Sequence, residues 1–424
     1  MKVYLDTVGC RLNQAEIESM ARQFRAAGHE LVASPAEAEL AVVNTCLVTT
    51  EAASDSRNKI RQIARAGSAE IVATGCWASM YPNEAAALPG VRRVVANDHK
   101  DVLPADLNIP SGNVLPFDLE PLAREPLPGL RQRTRAFIKV QDGCGNRCTF
   151  CITTLARGAS RSVPADGVIE DVRLAVEGGA QEVVLTGVHL GAWGQEFDSH
   201  LRELVVAILH ETDVPRLRLS SLEPWDLDEA FFALWQDPRL CRHLHLPLQS
   251  GSPTVLRRMA RKTTPESFRA LTAAARSITP EIAITTDVIA GFPGESDEEF
   301  EETVALIHSI QFAGGHVFTY SSRPGTAAAR MPGQLHTDLK KQRSARLREI
   351  FARSAESYHR KFLGQELAVL WEATSEKAEN GWRIEGLTDN YIRVSAIAPE
   401  PRWNRLDRVR LLEISGEGVR GEIL

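Results

Sequence analysis

Three times in its first hundred residues the chain runs an apolar, strand-like stretch into a cysteine and then into a polar, helix-like stretch. The runs are KVYLDTVGC ending at Cys10, ELAVVNTC ending at Cys46 and EIVATGC ending at Cys76. After the first two come NQAEIESMARQFRAAG and EAASDSRNKIRQIARAG, each ending in a glycine positioned as a helix C-cap. Strands alternating with helices of this length fold as a parallel α/β sheet. Residues just past the strand ends of such a sheet share one edge, where ligands bind. Cys10, Cys46 and Cys76 are therefore expected to converge as a three-thiolate site, the alternative being three unrelated buried side chains.

A second triplet, Cys144, Cys148 and Cys151, stands in RAFIKVQDGCGNRCTFC. The spacing CxxxCxxC puts three thiolates in one loop, with no fourth cysteine or histidine close in sequence. A structural zinc site normally closes with four ligands. A cubane iron–sulfur cluster held by three thiolates keeps one iron open for something reactive.

At 424 residues the chain exceeds one ordinary core. The reading divides it at 1–104, a linker at 105–129, and further domains at 130–361 and 362–424. The linker carries Pro104 at its edge and then Pro110, Pro116, Pro121, Pro126 and Pro128, a density that stops helices and sheets. The opening MKVYLDTVGC lacks the apolar core of a signal peptide, and no apolar run reaches the length of a membrane span. A cytoplasmic protein is expected, in which cysteines serve as ligands or nucleophiles more than as bridges.

From Arg133 to Lys361 the strand candidates are AFIKVQ, EVVLTG, RLRLSS, HLHLPLQS, IAITTDVIAG and GGHVFTYS, with helical stretches between. Six strand–helix units imply a partial barrel of parallel strands, with a doubly wound sheet as the other possibility. Polar residues stand at the strand ends, where barrel chemistry sits: Thr186, Gly187 and His189; Ser220, Ser221 and Glu223; Gln249 and Ser250; Asp287 and the turn Gly291 to Glu295. His189 reads as a rim histidine more than a metal ligand, and Cys241 as a small buried side chain.

The last segment alternates in QELAVLWEA, WRIEGLT, YIRVSAI and RVRLLEI, as in a small antiparallel β-barrel. Trp371, Trp382, Tyr391 and Trp403 crowd it, either as core or as a stacking surface for single-stranded nucleic acid. The formal net charge of −6 argues against gripping nucleic acid with the whole surface. Local basic groups exist: Arg57, Lys59, Arg61 and Arg65; Arg131, Arg133 and Arg135; Arg257, Arg258, Arg261 and Lys262; and Lys340 through Lys361. Each is explained by a solvated helix face, and together they allow a polyanion without requiring one.

These residues resemble a known family. The triplet with Phe150 before its last cysteine resembles the signature of the radical S-adenosylmethionine enzymes. TVGCRLNQAEIE, VVNTC and TGC resemble the three-cysteine domain of the methylthiotransferases in that superfamily, and the last segment resembles the RNA-binding TRAM domain. TVGCRLNQAE, VQDGC, LTGVHLGAWG and LRLSSLEP resemble the branch acting on N6-threonylcarbamoyladenosine in tRNA; the isopentenyladenosine and ribosomal-protein branches usually differ there. Gly145 stands where asparagine is common, and Thr153, Thr154 and Leu155 replace the usual Ile-Pro-Tyr. Those departures leave every thiolate in place.

The resemblance implies two [4Fe–4S] clusters, one on Cys144, Cys148 and Cys151 that chelates S-adenosylmethionine and an auxiliary one on Cys10, Cys46 and Cys76 that carries the sulfur to be inserted. Radical chemistry of this kind belongs to the cofactor, because the C–H bond to be replaced is unactivated. Glu223, Gln249, Asp287 and Gly291 are candidate contacts for S-adenosylmethionine, each equally readable as a barrel-rim hydrogen bond. Implied partners are the anticodon stem-loop of tRNA and an electron donor such as flavodoxin or ferredoxin, with no membrane and no DNA. A non-catalytic, zinc-containing RNA-binding protein is the alternative of another class.

Overall fold

The computed structural model describes residues 1–67, 69–103, 134–378 and 381–424. The expected linker, together with Arg131 and Arg133, lies outside the described residues.

The first sheet has five parallel strands: β1 (Lys2–Thr7), β2 (Glu30–Leu31), β3 (Leu40–Thr45), β4 (Glu70–Thr74) and β5 (Val91–Val94), in the order β2-β1-β3-β4-β5. All six residues of β3 are buried, as befits a central parallel strand covered on both faces. Helices α1 (Arg11–Ala26), α2 (Thr50–Ala66), α3 (Gly75–Met80) and α4 (Pro82–Ala86) follow the strands. Gly28 ends α1 at φ +79°, the left-handed conformation expected of it. Gly67 after α2 does not: it is extended, at φ −169°. It is small for another reason, because a Cβ there would stand 3.1 Å from the Ala36 Cα and the Pro35 carbonyl.

The central region holds a hairpin-like pair, β7 (Gln141–Asp142) and β8 (Arg161–Ser162), and six parallel strands in two runs of three. These are β6 (Arg135–Lys139), β9 (Glu182–Thr186) and β10 (Leu217–Leu219), then β11 (His243–His245), β12 (Ala283–Ala290) and β13 (Gly314–Thr319). Parallel bridges between Leu217 and Leu240 and between Ser221 and His245 join the runs into one arc. The intervening helices are α5 (Thr153–Arg157), α6 (Ala165–Glu177), α7 (Leu201–Glu211), α8 (Glu229–Phe232), α9 (Pro253–Arg258), α10 (Pro265–Ile278) and α11 (Asp297–Ile310), and α12 (Thr337–Arg360) closes the region. The architecture is the partial six-stranded barrel, not the doubly wound sheet. Its core runs from Ala136 and Ile138 through Leu185 and Leu219 to Leu244, Ile284 and Val317.

The last residues form a closed five-stranded barrel: β14 (Glu366–Ala378), β15 (Gly381–Thr388), β16 (Arg393–Ala398), β17 (Leu406–Ser415) and β18 (Gly418–Ile423), closing as β14-β15-β16-β18-β17. Its turn after β15 penetrates the central region. Tyr391 stacks flat on His243 at 4.0 Å, and Arg218, fully buried, donates to the carbonyls of Thr388 and Asp389. Of the four aromatic residues read as core or stacking surface, Trp371 is fully buried and donates to Asp407, and Tyr391 is spent on this contact. Trp403 packs against the central core.

Candidate functional site

The strand register builds the first site. Thr7 pairs with Asn44, and Asn44 with Thr74, so the ends of β1, β3 and β4 are level and their cysteines follow within three residues. Cys46 and Cys76 are buried and Cys10, at the N-terminus of α1, is exposed, so the site opens on the Cys10 side. Gly9 and Gly75 precede two of these cysteines at φ +108° and +90°. Burial pushes the Cys46 thiol up to about 11, and the neighbouring Cys10 and Cys76 thiols add to the shift. A metal that binds such a set must first displace its protons.

The second set lies in the loop after β7. The Cys144 amide donates to the Gly158 carbonyl at 3.0 Å, and the Cys151 amide to the Cys148 carbonyl at 3.1 Å. Two backbone amides point at sulfur: Asn146 to Cys144 and Thr153 to Cys151, each at 3.4 Å. Gly143, at φ +67°, admits no side chain because a Cβ would run into the Ala159 carbonyl. Phe150 leaves the loop to pack edge-on against Phe292.

Both sets meet one buried cluster that the sequence analysis did not anticipate. The guanidinium of Arg157 donates from Nε to Cys76 Sγ at 3.2 Å, from Nη1 to Glu16 and Asp142 at 2.8 Å each, and from Nη2 to Asn13 at 2.7 Å. Lys100, fully buried, pairs with Glu16 at 2.6 Å and donates to Asn97, which donates in turn to the Ala156 carbonyl. Burial alone would raise the pKa of Glu16; Lys100, Arg157 and Lys139 instead hold it far below the ordinary carboxylate range. The available signal was Asn13 and Glu16, three apart on the buried face of α1 directly after Cys10.

The remaining candidates are held by protein partners. Arg261 grips Glu223 through two contacts at 3.0 and 2.6 Å, lies over the Trp225 ring, and reaches Cys148 Sγ at 3.8 Å. His189 bonds Asp226 at 2.6 Å. Burial acts to lower its pKa, but hydrogen bonds to Asp226 and Cys144 push it up to about 9. Gln249 sits at φ +69° and trades backbone hydrogen bonds with Asp287 and Ile289. Asp287 does not end its strand: it is the fifth of eight residues in β12, where it pairs with His245 at 3.3 Å. Gly291, at φ +75°, donates to Glu295, which Arg343 ties to α12. Cys241 is buried, as expected, with its thiol 3.8 Å from Glu182.

The region from 2 to 96 matches the family described as "Uncharacterized protein family UPF0004", and 138 to 307 matches the Radical SAM superfamily. "Threonylcarbamoyladenosine tRNA methylthiotransferase MtaB" of Thermotoga maritima is 37% identical over 98% of this chain and 96% of its own length. Its namesake from Bacillus subtilis is 35% identical over 97% and 94%. This chain belongs to the radical S-adenosylmethionine tRNA methylthiotransferases. The family also includes a "tRNA-2-methylthio-N(6)-dimethylallyladenosine synthase" from Moorella thermoacetica, 32% identical over 99% of this chain and 97% of its own. Among solved structures, the radical S-adenosylmethionine methyltransferase TsrM of Kitasatospora setae shares the fold, with a TM-score of 0.58 and 17% identity over 77% of this chain and 75% of that one.

Membership in the radical S-adenosylmethionine methylthiotransferases brings S-adenosylmethionine and a [4Fe–4S] cluster. The donor chemistry suits such a cluster at either cysteine set. Thiolates that bind one tetrahedral ion at about 2.3 Å are drawn to within about 4 Å of each other. Among the described residues no three cysteine, histidine, aspartate or glutamate side chains are grouped to hold a single metal ion. A cubane asks for one thiolate per iron, with N–H donors on the sulfurs, as the Asn146 and Thr153 amides are on Cys144 and Cys151. No helix among the described residues is long and apolar enough to cross a membrane.

Proposed function

We propose that this chain converts N6-threonylcarbamoyladenosine at position 37 of tRNA to its 2-methylthio derivative. The observation that carries the reading is that Arg157 bonds both Cys76, of the three cysteines that follow β1, β3 and β4, and Asp142, two residues before the Cys144, Cys148 and Cys151 loop. In this reading Cys144, Cys148 and Cys151 would hold the cluster that with S-adenosylmethionine would supply radical chemistry, and Cys10, Cys46 and Cys76 would hold a second that would supply sulfur. The protein's own residues then bind, orient and shield. Asn146 and Thr153 amides and Arg261 direct positive charge at the first set of sulfurs. Glu223, Gln249, Asp287 and Gly291 line the barrel toward S-adenosylmethionine.

Residues 1–104 carry the sulfur site, 130–361 the radical site, and 362–424 the RNA-binding barrel that brings the anticodon stem-loop to them. Flavodoxin or ferredoxin donates the electron. The threonylcarbamoyl substrate is supported by the names of the Thermotoga and Bacillus relatives and by the resemblance of TVGCRLNQAE and LTGVHLGAWG to that branch. The test is anaerobic turnover with reductant and tRNA carrying either modified adenosine, reading 5′-deoxyadenosine and methylthiolated nucleoside together. Product on threonylcarbamoyladenosine alone supports the assignment; product on isopentenyladenosine alone overturns it. Protein with about eight irons per chain fits two cubanes, whereas zinc without iron would favour the non-catalytic alternative.

A further inference from the structure

We propose that Arg157 is a positioning residue that locks the two cysteine sites at a fixed separation and raises the reduction potential of the one built on Cys10, Cys46 and Cys76. The inference rests on the two-site reading above and adds to it the residue that couples the sites.

Arg157 is the last residue of α5, six positions after Cys151, and its side chain is only 2% exposed. Burying a guanidinium costs several kcal/mol unless its donors are met. Here all three nitrogens are engaged, with partners from both regions: Asn13, Glu16 and Cys76 from the first, Asp142 from the central one. Asn13 is itself 3.7 Å from the thiol of Cys10. The two residues after Arg157 hold the other set, since the Gly158 carbonyl accepts from the Cys144 amide and the Ala159 carbonyl lies against Gly143. One short segment therefore touches Cys76 with its side chain and Cys144 with its backbone.

A role in docking alone would be complete with the two terminal nitrogens on Glu16, Asp142 and Asn13. The bond from Nε to Cys76 is additional, and it aims a charged donor at sulfur. Lys100 on Glu16 and Arg161 beside Asp142 at 3.4 Å supply further positive charge to the carboxylates, while Lys139 is held by Asp101, so the Arg157 charge is not spent on Glu16 and Asp142 alone. A cationic N–H on a ligand sulfur stabilises the added electron of a bound cluster and raises its potential. Lysine has no planar fork and cannot reach Cys76, Glu16, Asp142 and Asn13 together.

The test uses the full chain, anaerobically reconstituted, as wild type, Arg157→Gln and Arg157→Lys, with redox titration followed by electron paramagnetic resonance. In Arg157→Gln the signal assigned to the Cys10, Cys46 and Cys76 site shifts to more negative potential, and the signal of the other site stays put. Arg157→Lys, which keeps the charge and loses the bond to sulfur, falls between. Methylthiolated product drops tenfold or more in Arg157→Gln while 5′-deoxyadenosine still forms. An unchanged auxiliary potential in either variant overturns the proposal, as does an equal shift at both sites. If Arg157→Gln fails to fold, Arg157→Lys alone decides by the same criterion. A Cys144→Ala/Cys148→Ala/Cys151→Ala chain that retains no iron would instead sink the two-site reading on which the inference rests.

Discussion

Gly9 presses its backbone against Cys46: a Cβ built on it would stand 2.5 Å from both Cβ and Sγ of that cysteine. Its φ of +108° is also closed to side chains. The Gly9→Ala chain must therefore either displace Cys46 or twist the turn that presents Cys10. We expect a modest stability loss, on the order of 1–3 kcal/mol, and a large functional one. On the proposed two-cluster reading, iron per chain should fall by about half, with 5′-deoxyadenosine formation retained and methylthio transfer lost. Iron and sulfide assays beside nucleoside analysis check this; full iron with full transfer would show that the turn tolerates a methyl group.

How much of this was legible in the chain follows from where the determining forces are local. β3 reads as a strand because LAVVNT is apolar throughout and buried throughout. β2, with two residues, and β5, VRRV with both arginines exposed, carry no such pattern and exist only because the sheet beside them offers a partner. β18, GVRGEI, is held by closure of its barrel. The strand IAITTDVIAG is legible, but its polar run reads as the strand end; Thr285, Thr286 and Asp287 lie mid-strand, bonded to His243, Leu246 and His245 respectively. Arg157 was illegible for the deepest reason. An arginine before a glycine reads as a surface loop, and its burial depends on Glu16 and Asn13, 141 and 144 residues away.

Glu182 gives the fold an acid limit. It is fully buried, and burial alone would raise its pKa, but Arg218 and Arg216 hold it at about 2 against an ordinary 4.5. A lowered carboxyl pKa contributes stability that is complete above the unfolded value and is lost as pH falls through the folded one. At 1.36 kcal/mol per unit this amounts to about 3 kcal/mol, lost between roughly pH 4.5 and 2. Replacing it in Glu182→Gln leaves Arg218 and Arg216 buried with an unpaired charge and should cost on the order of 3–5 kcal/mol at neutral pH. Urea titrations across pH 3–7 should show a shallower acid dependence in the variant; parallel curves would contradict the linkage.

Tyr391 joins all three regions. Its ring stacks on His243 of the central barrel, and its hydroxyl accepts from Arg11, the residue after Cys10, at 2.5 Å. Arg218 lies over the same ring at 5.3 Å. Truncation in Tyr391→Ala removes these contacts while relieving the strained φ of +68° only slightly, so a net loss of about 2–4 kcal/mol is expected. Small-angle scattering should report a larger radius of gyration, and proteolysis should release the C-terminal barrel. A chain that stays compact under both would place the docking energy on Arg218 and on Arg242, which grips the Asp389 carboxylate at 2.6 and 3.1 Å, instead.

On the RNA-binding role proposed for the C-terminal barrel, the placement of its aromatic residues decides where its contacts to tRNA fall. Trp371 is sealed inside, with its indole N–H spent on Asp407 at 2.7 Å, so no base stacks on it. Arg383, Arg393, Arg402 and Arg420 instead line one surface groove of the barrel, interspersed with Glu372, Glu385, Glu417 and Glu422. Charge contacts to phosphate weaken with salt, and each removed contact lowers the logarithmic salt slope by about one. Arg393 is exposed in that groove, and Arg393→Ala should weaken tRNA binding roughly three- to tenfold at low salt and flatten the salt dependence. Trp371→Phe, by contrast, should destabilise the barrel yet leave the affinity of the folded fraction unchanged. Filter binding at several salt concentrations separates the two: a loss of affinity in Trp371→Phe without unfolding would return the aromatic residues to the RNA.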